Sequence, residues 1–277
     1  MRISVRHTIV QEFAPPARSV IQQMRLRPRA CESQQVSFWS IDCDVDCQVR
    51  EQQDAFGNSV QMLDAGGPLQ KLTVTARGDI DTFDTSGVLR GERERFSPDV
   101  YLRDTDLTEA DPALRKFARE AAKGAKTELD RPHFLMRAVN EAIAFEPSLK
   151  EPASAVEAFK AKKGASCELA HVFIAAARCV GVPARFVSGY LASESDGAER
   201  AADASDLRGW AEAFVDGLGW IGFDPSICLC MHDGHVRLAV ALDYLGAAPL
   251  RVSPLLSATR SVDARASIVQ GQAQRQS

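Results

Sequence analysis

The chain has 277 residues, 45% hydrophobic and 25% charged, enough for one large domain or two modest ones with a real core. A net charge of −4 excludes the global basic field that nucleic acid or an anionic membrane would attract. No run reaches the ~20 apolar residues of a membrane-crossing helix.

Residues 1 to 105 read as a β-rich region. Ile3, Val5, His7 and Ile9 alternate with Arg2, Ser4, Arg6 and Thr8, as a half-buried strand requires. Between Arg18 and Arg29, the apolar Val20, Ile21, Met24 and Leu26 near-alternate with basic residues, which reads as a strand with one solvated basic face rather than an RNA-binding patch. Val36, Phe38 and Ser40 against Ser37, Trp39 and Ile41 give a second strand, and Gly57-Asn58 marks a hairpin turn before Val60–Leu63. Leu72, Val74, Ala76 and Ile80 continue the pattern, and strands at this spacing suggest a β-sandwich-like domain.

After Thr105 the period changes. Thr108 or Asp111 caps a helix that has Pro112 early and Leu114, Phe117, Ala118 and Ala121 on one face. A second helix opens near Pro132, with Leu135, Ala138, Val139, Ala142 and Ile143 as its stripe, and a short third spans Ser154–Ala161. A fourth, Ser166 to Val180, is apolar nearly all round and so must be buried. It stops at Gly181, with Pro183 beyond. Strands follow at 185–191, 210–216, 220–223 and 236–241, with Asp216-Gly217-Leu218-Gly219 as a hairpin turn. Residues 193–208 read as a flexible surface loop and 270–277 as a disordered tail.

This order predicts an α+β chain: a β-rich domain over 1–105, a core of helices on an antiparallel sheet over 106–269, and the tail. The opening MRISVRHTIVQEF lacks the apolar segment and cleavage site of a secretory signal. The seven cysteines (31, 43, 47, 167, 179, 228 and 230) are odd in number and follow no framework spacing, so they read as free thiols in a reducing cytoplasm. Cys43 and Cys47 are assigned to packing in the β domain and Cys179 to the core. Cys228, Cys230, His232 and His235 are all residues of ligand type, but their spacing fits no usual zinc pattern, so no metal or cofactor is expected.

The run GASCELAHVFIAAARCVGVPARFVSGYL at 164–191 places a serine, a cysteine, an acid and a histidine at the start of the buried helix. Further along stand GWAEAFVDGLGWIGFDPS at 209–226 and HVRLAVALDY at 235–244. With the opening MRISVRHTIVQEF and the DAFGN turn at 54–58, these segments resemble the bacterial transglutaminase-like proteins, in the right order over nearly the whole chain. The resemblance implies a papain-like core in which a thiolate at a helix N-terminus is stabilised by free backbone N–H groups. A histidine on a neighbouring strand and an orienting acid complete the triad.

Relatives read Gly-x-Cys-x-Asp-x-x-His, which puts Ser166 at the nucleophile position and Glu168 at that of the aspartate, with His171 matching a histidine carried besides the catalytic one. Their His-Ala-Trp becomes Arg208-Gly209-Trp210, so arginine stands at the base position. Asp224 matches the orienting acid. An arginine cannot accept the nucleophile's proton, and losing triad members costs several orders of magnitude in rate.

The resemblance therefore implies a pseudoenzyme acting as a binding or regulatory subunit for an amide, amine or peptide ligand. An ATP-grasp-like ligase is a plausible partner. The alternative is an amidohydrolase working through Cys167 or Ser166. Cys167 and His171, four apart, share a helix face, but one step along a helix turns Cys167 by ~100° from the nucleophile direction. Arg208 is expected to pair with Asp224 or Glu168. Ser166 also suits a helix N-cap, and Glu168 a first-turn carboxylate.

Overall fold

The computed structural model describes residues 1–89, 94–148, 150–192, 205–252 and 258–269. The tail expected at 270–277 and most of the loop expected at 193–208 lie outside them. Four strands come first: β1 (Arg2–Met24), β2 (Gln34–Cys43), β3 (Cys47–Gln53) and β4 (Ser59–Thr82), then the short β5 (Val88–Leu89). Next come α1 (Pro112–Ala122), α2 (Asp130–Ala142), β6 (Ala144–Phe145), α3 (Ala155–Ala161), β7 (Lys163–Gly164) and α4 (Ser166–Cys179). The chain continues through β8 (Ala184–Leu191), β9 (Leu207–Val215), β10 (Gly219–Asp224), β11 (Leu229–Cys230) and β12 (His235–Ala241). It ends on α5 (Tyr244–Ala247), β13 (Leu250–Val252) and β14 (Ala258–Ile268).

The first sheet has six strands, in the order β13-β1-β4-β2, with β14 on β1 and β3 on β4. β1 and β4 run its whole length, and register shifts between Glu12 and Ser19 let both bend. The early half of β1 pairs with β14 and the late half with β13. One core therefore takes residues from both halves, among them Ile9, Val20, Leu63 and Leu72. The β3–β4 hairpin forms where Gly57-Asn58 marked it. Gly57 sits at φ +80°, and Asp54 Oδ1 accepts from the Phe56 and Asn58 amides at 3.0 and 2.9 Å.

In β2 the expected faces are broken. A bulge between Val36 and Phe38 turns Phe38 outward, 57% exposed, and buries Trp39. From the end of the chain, β13 and β14 return to pair with β1.

The second sheet, in the order β11-β10-β9-β8-β12 with β5 on β10, carries the helices on one face. α4 is its buried axis: Leu169 through Ala177 are all inside, packed on Ala211, Ala213 and Phe223 of the sheet. The other helices form much as their stripes and caps predict. The Asp111 carboxylate caps α1 by accepting from the Leu114 amide at 2.8 Å, and Ser154 and Glu157 form the capping box of α3. Thr108 does not cap; its hydroxyl receives Arg178 Nη1 at 2.6 Å.

The two sheets are locked together. The Asn58 side chain donates to the Val240 carbonyl at 2.7 Å and accepts from the Val240 amide at 2.8 Å. Gln34 bridges the Arg237 backbone in the same way. Buried amides satisfied on both ends fix the relative position of the sheets as firmly as packing does. Among the described residues no helix is long and apolar enough to cross a membrane.

Candidate functional site

α4 starts where Ala165 is still extended (φ −81°, ψ −178°) and Glu168 reaches back to it. Glu168 accepts from the Ala165 amide at 3.2 Å and the Ala153 amide at 3.3 Å. Its role is the first-turn carboxylate that tethers the preceding loop. Ser166 is therefore the first helical residue and not the N-cap. Its hydroxyl oxygen instead accepts from the Gly209 amide across the sheet at 3.1 Å.

That approach requires glycine at 209. A Cβ there would lie 2.6 Å from Phe186 Cζ and 2.8 Å from Cys167 Sγ. Strand alternation then puts Gly209 on the α4 face of β9 and Arg208, Trp210 and Glu212 on the other. Burial pushes the Cys167 thiol up to about 12, and the Glu168 charge adds to the rise. A hydrogen bond with Ser166 and the Arg208 charge act the other way without overcoming burial.

His171 is spent on structure. Its Nε2 accepts from the Tyr244 amide at 3.2 Å, so Nδ1 carries the proton and donates to the Ala153 carbonyl, also at 3.2 Å. Burial holds this imidazole neutral, with its pKa down at about 4.

Asp224 closes β10, fully buried, beside Trp210 in the continuing register of β9 and β10. Its Oδ1 accepts from the Ser226 amide at 2.9 Å and the Ser226 hydroxyl at 2.5 Å. Its Oδ2 faces His235 Nε2 at 3.5 Å. The His232 amide donates to His235 Nδ1 at 3.3 Å, which leaves the proton of His235 on Nε2, towards Asp224. Burial raises the Asp224 carboxyl, but the bonds from His235 and Ser226 outweigh it and hold the carboxyl below its ordinary value.

The expected pairing of Arg208 with Asp224 or Glu168 does not occur. Asp224 is bonded to Ser226 through Oδ1 and faces His235 at 3.5 Å through Oδ2, and Glu168 accepts from two backbone amides. Arg208 lies half-buried with its guanidinium 5.0 Å from the Phe145 ring centre, and its Nε has no partner. Phe145 is paired with Gly164, so Arg208 sits at the entrance to the helix start.

A cavity of about 60 Å³ opens against Ser166 and Cys167. Its walls come from distant parts of the chain: His7 and Ile9 of β1, Lys150, Tyr244, and Arg260 of β14. Sequence reasoning missed all of these as site residues. The signal available was His7, a polar residue at an inward position of an alternating strand.

The His7 side chain is fully buried, its Nδ1 2.9 Å from the Tyr190 hydroxyl, and its Nε2 lacks a partner. If the Tyr190 O–H donates to Nδ1, one N–H is left unmatched; the reverse assignment orphans both the hydroxyl proton and a nitrogen lone pair. The first is cheaper, so Nε2 carries a proton.

Residues 3–81 match the bacterial transglutaminase-like N-terminal region, and residues 115–225 match the transglutaminase-like superfamily core. The chain is similar to an uncharacterised protein of Mycobacterium leprae, 23% identical over 266 residues that cover 90% of this chain and 92% of the relative. Its fold is similar to the crystal structure of a candidate cysteine protease from Cytophaga hutchinsonii, with a TM-score of 0.77 at 17% identity over 98% of this chain and 92% of that one. The periplasmic domain of TgpA from Pseudomonas aeruginosa is similar at a TM-score of 0.40 and 16% identity, over 79% of this chain and 87% of that one.

Proposed function

The chain belongs to the bacterial transglutaminase-like proteins, and from that premise we propose that it is a catalytically silent member, a binding or regulatory subunit that keeps the cleft without the chemistry. The observation that carries this reading is the absence, among the described residues, of a proton acceptor at the start of α4. Arg208 holds the position of the base, and a guanidinium does not take a proton from a hydroxyl or thiol. Both nitrogens of His171 are bonded to backbone, and His235 is turned towards Asp224. His7 presents an N–H donor rather than a lone pair.

The candidate nucleophiles agree with this. Ser166 is an unactivated hydroxyl, and Cys167 is half-buried with its thiol pushed up to about 12, far from the thiolate a cysteine nucleophile needs at neutral pH. The cleft would bind a group of a peptide or protein ligand, and the chain would act on a protein partner in the cytoplasm. An ATP-grasp-like ligase fits that role.

The test is a gain of function. In the Ser166→Cys/Arg208→His double variant, residue 166 should be alkylated by iodoacetamide at neutral pH faster than an unperturbed thiol, with that rate advantage lost on denaturation. The unmodified chain should release no ammonia from glutamine peptides. Ammonia release, or fold-dependent labelling of Ser166 by a fluorophosphonate or of Cys167 by iodoacetamide, would establish the amidohydrolase alternative instead.

A further inference from the structure

We infer that the cavity between β1 and the start of α4 is a carboxylate-binding site, selective for an acid over the corresponding amide. The inference rests on the reading of a silent binding cleft and names the chemical class that the cleft takes. Two cations, Lys150 and Arg260, stand on its wall, and no acidic side chain lines it among the described residues. Arg260 is only loosely engaged, with a 3.9 Å contact to the exposed Glu151.

The independent observation is His7. It lines the cavity with its side chain fully buried, and its Nε2 finds no acceptor among the described residues. A buried N–H without an acceptor costs about 1–3 kcal/mol, and a ligand oxygen would recover it. Burial keeps His7 neutral, with its pKa down at about 4, so Nε2 remains an N–H donor without adding charge. The Ser166 hydroxyl supplies another donor at the far wall. Donors and cations with no carboxylate among the described lining residues describe an anion site. An amide would give Lys150 and Arg260 no counter-charge.

Size and polarity narrow the ligand further. About 60 Å³ holds roughly four to six non-hydrogen atoms, at the 10–15 Å³ that one water-sized probe needs. Ile9, Leu207 and Leu250 make much of the wall apolar. The fit is a short aliphatic chain ending in a carboxylate, with any remainder of the molecule at the mouth. Such a group comes either from a free short-chain acid or from a glutamate side chain of a peptide.

Calorimetric titration of the full chain separates these cases. The probes are butyrate against butyramide, and an N-acetyl-glutamate amide against its glutamine counterpart. In at least one pair the acid should bind roughly tenfold more tightly than the amide. The free-acid pair alone responding identifies a small-molecule site, and the glutamyl pair responding identifies a peptide site.

Arg260→Gln, on a half-exposed side chain of an outer strand, should remove most of that preference while leaving the melting temperature unchanged, and Lys150→Gln should reduce it further. Equal binding of acid and amide, no binding of either, or a preference unaltered by both substitutions would overturn the inference. Ammonia release from the glutamine compound would overturn the proposed function instead, whichever of the pair binds better.

Discussion

Two arginine environments share one sheet and could hardly differ more. On β8 and β12, Arg185 and Arg237 are buried around the Glu212 carboxylate, with Nε-to-oxygen contacts of 2.6 and 2.7 Å. Arg185 also stacks 3.9 Å from the Trp220 ring centre and meets Glu94 at 3.0 Å. A few residues away along β9, on the same face as Glu212, Arg208 has a ring beneath it and no ion pair among the described residues. The first arrangement is a structural brace, in which each buried charge is answered within the protein. The second is a charge left to the solvent and to whatever enters the cleft. An arginine's presence beside a cleft therefore says little until its partners are counted.

Breaking the brace should have the largest effect. Glu212→Gln removes the carboxylate that two buried guanidinium groups share, and chemical denaturation should report a loss of about 3–5 kcal/mol. A loss below about 1 kcal/mol would mean that the cluster relaxes into solvent.

Acid should weaken the fold next. His7 and His171 have folded pKa values near 4, below the ordinary 6.5, so between those pH values the unfolded chain binds protons that the native chain refuses. Stability should therefore fall as pH drops from about 6.5 to 4, by up to about 3 kcal/mol for each imidazole. His171→Leu should flatten part of that slope while lowering stability at neutral pH, because it orphans the Ala153 carbonyl and the Tyr244 amide. An unchanged slope in this variant would put the titration elsewhere.

Gly209→Ala probes the contact between β9 and α4. The added methyl meets Phe186 and Cys167, and overpacking of this kind costs about 1–3 kcal/mol. Combining it with Cys167→Ala should recover part of the loss.

The smallest effect belongs to Arg208→Gln. With only a half-buried stack on Phe145 to lose, its stability should stay within about 1 kcal/mol of the parent. A larger drop would show that Arg208 braces the fold after all, and the contrast with Arg185 and Arg237 would collapse.

Much of the fold was legible because local pattern and tertiary demand agree. Leu114 and Ala118 mark the inner face of α1, and the wholly apolar α4 can only be a central helix. Where the buried face is made of small residues, legibility ended. β14 turns Ala264 and Ala266 inward, and two alanines give no alternation a reader would trust. In β2 a single bulge exchanged the roles of Phe38 and Trp39, which no periodicity argument anticipates.

The sequence by itself determined the family resemblance, the helical start that carries Ser166, Cys167, Glu168 and His171, and the substitution of arginine at 208. These are properties of contiguous segments, and local spacing suffices to read them. Only the tertiary structure decided what those residues touch: His171 bonded to backbone on both sides, Asp224 turned to His235, Arg208 without an ion pair. It also assembled the cavity, whose His7, Lys150, Tyr244 and Arg260 come from four separate stretches of the chain. Hydrogen bonds and burial across such separations depend on how the sheets close on one another, and no local pattern encodes that closure.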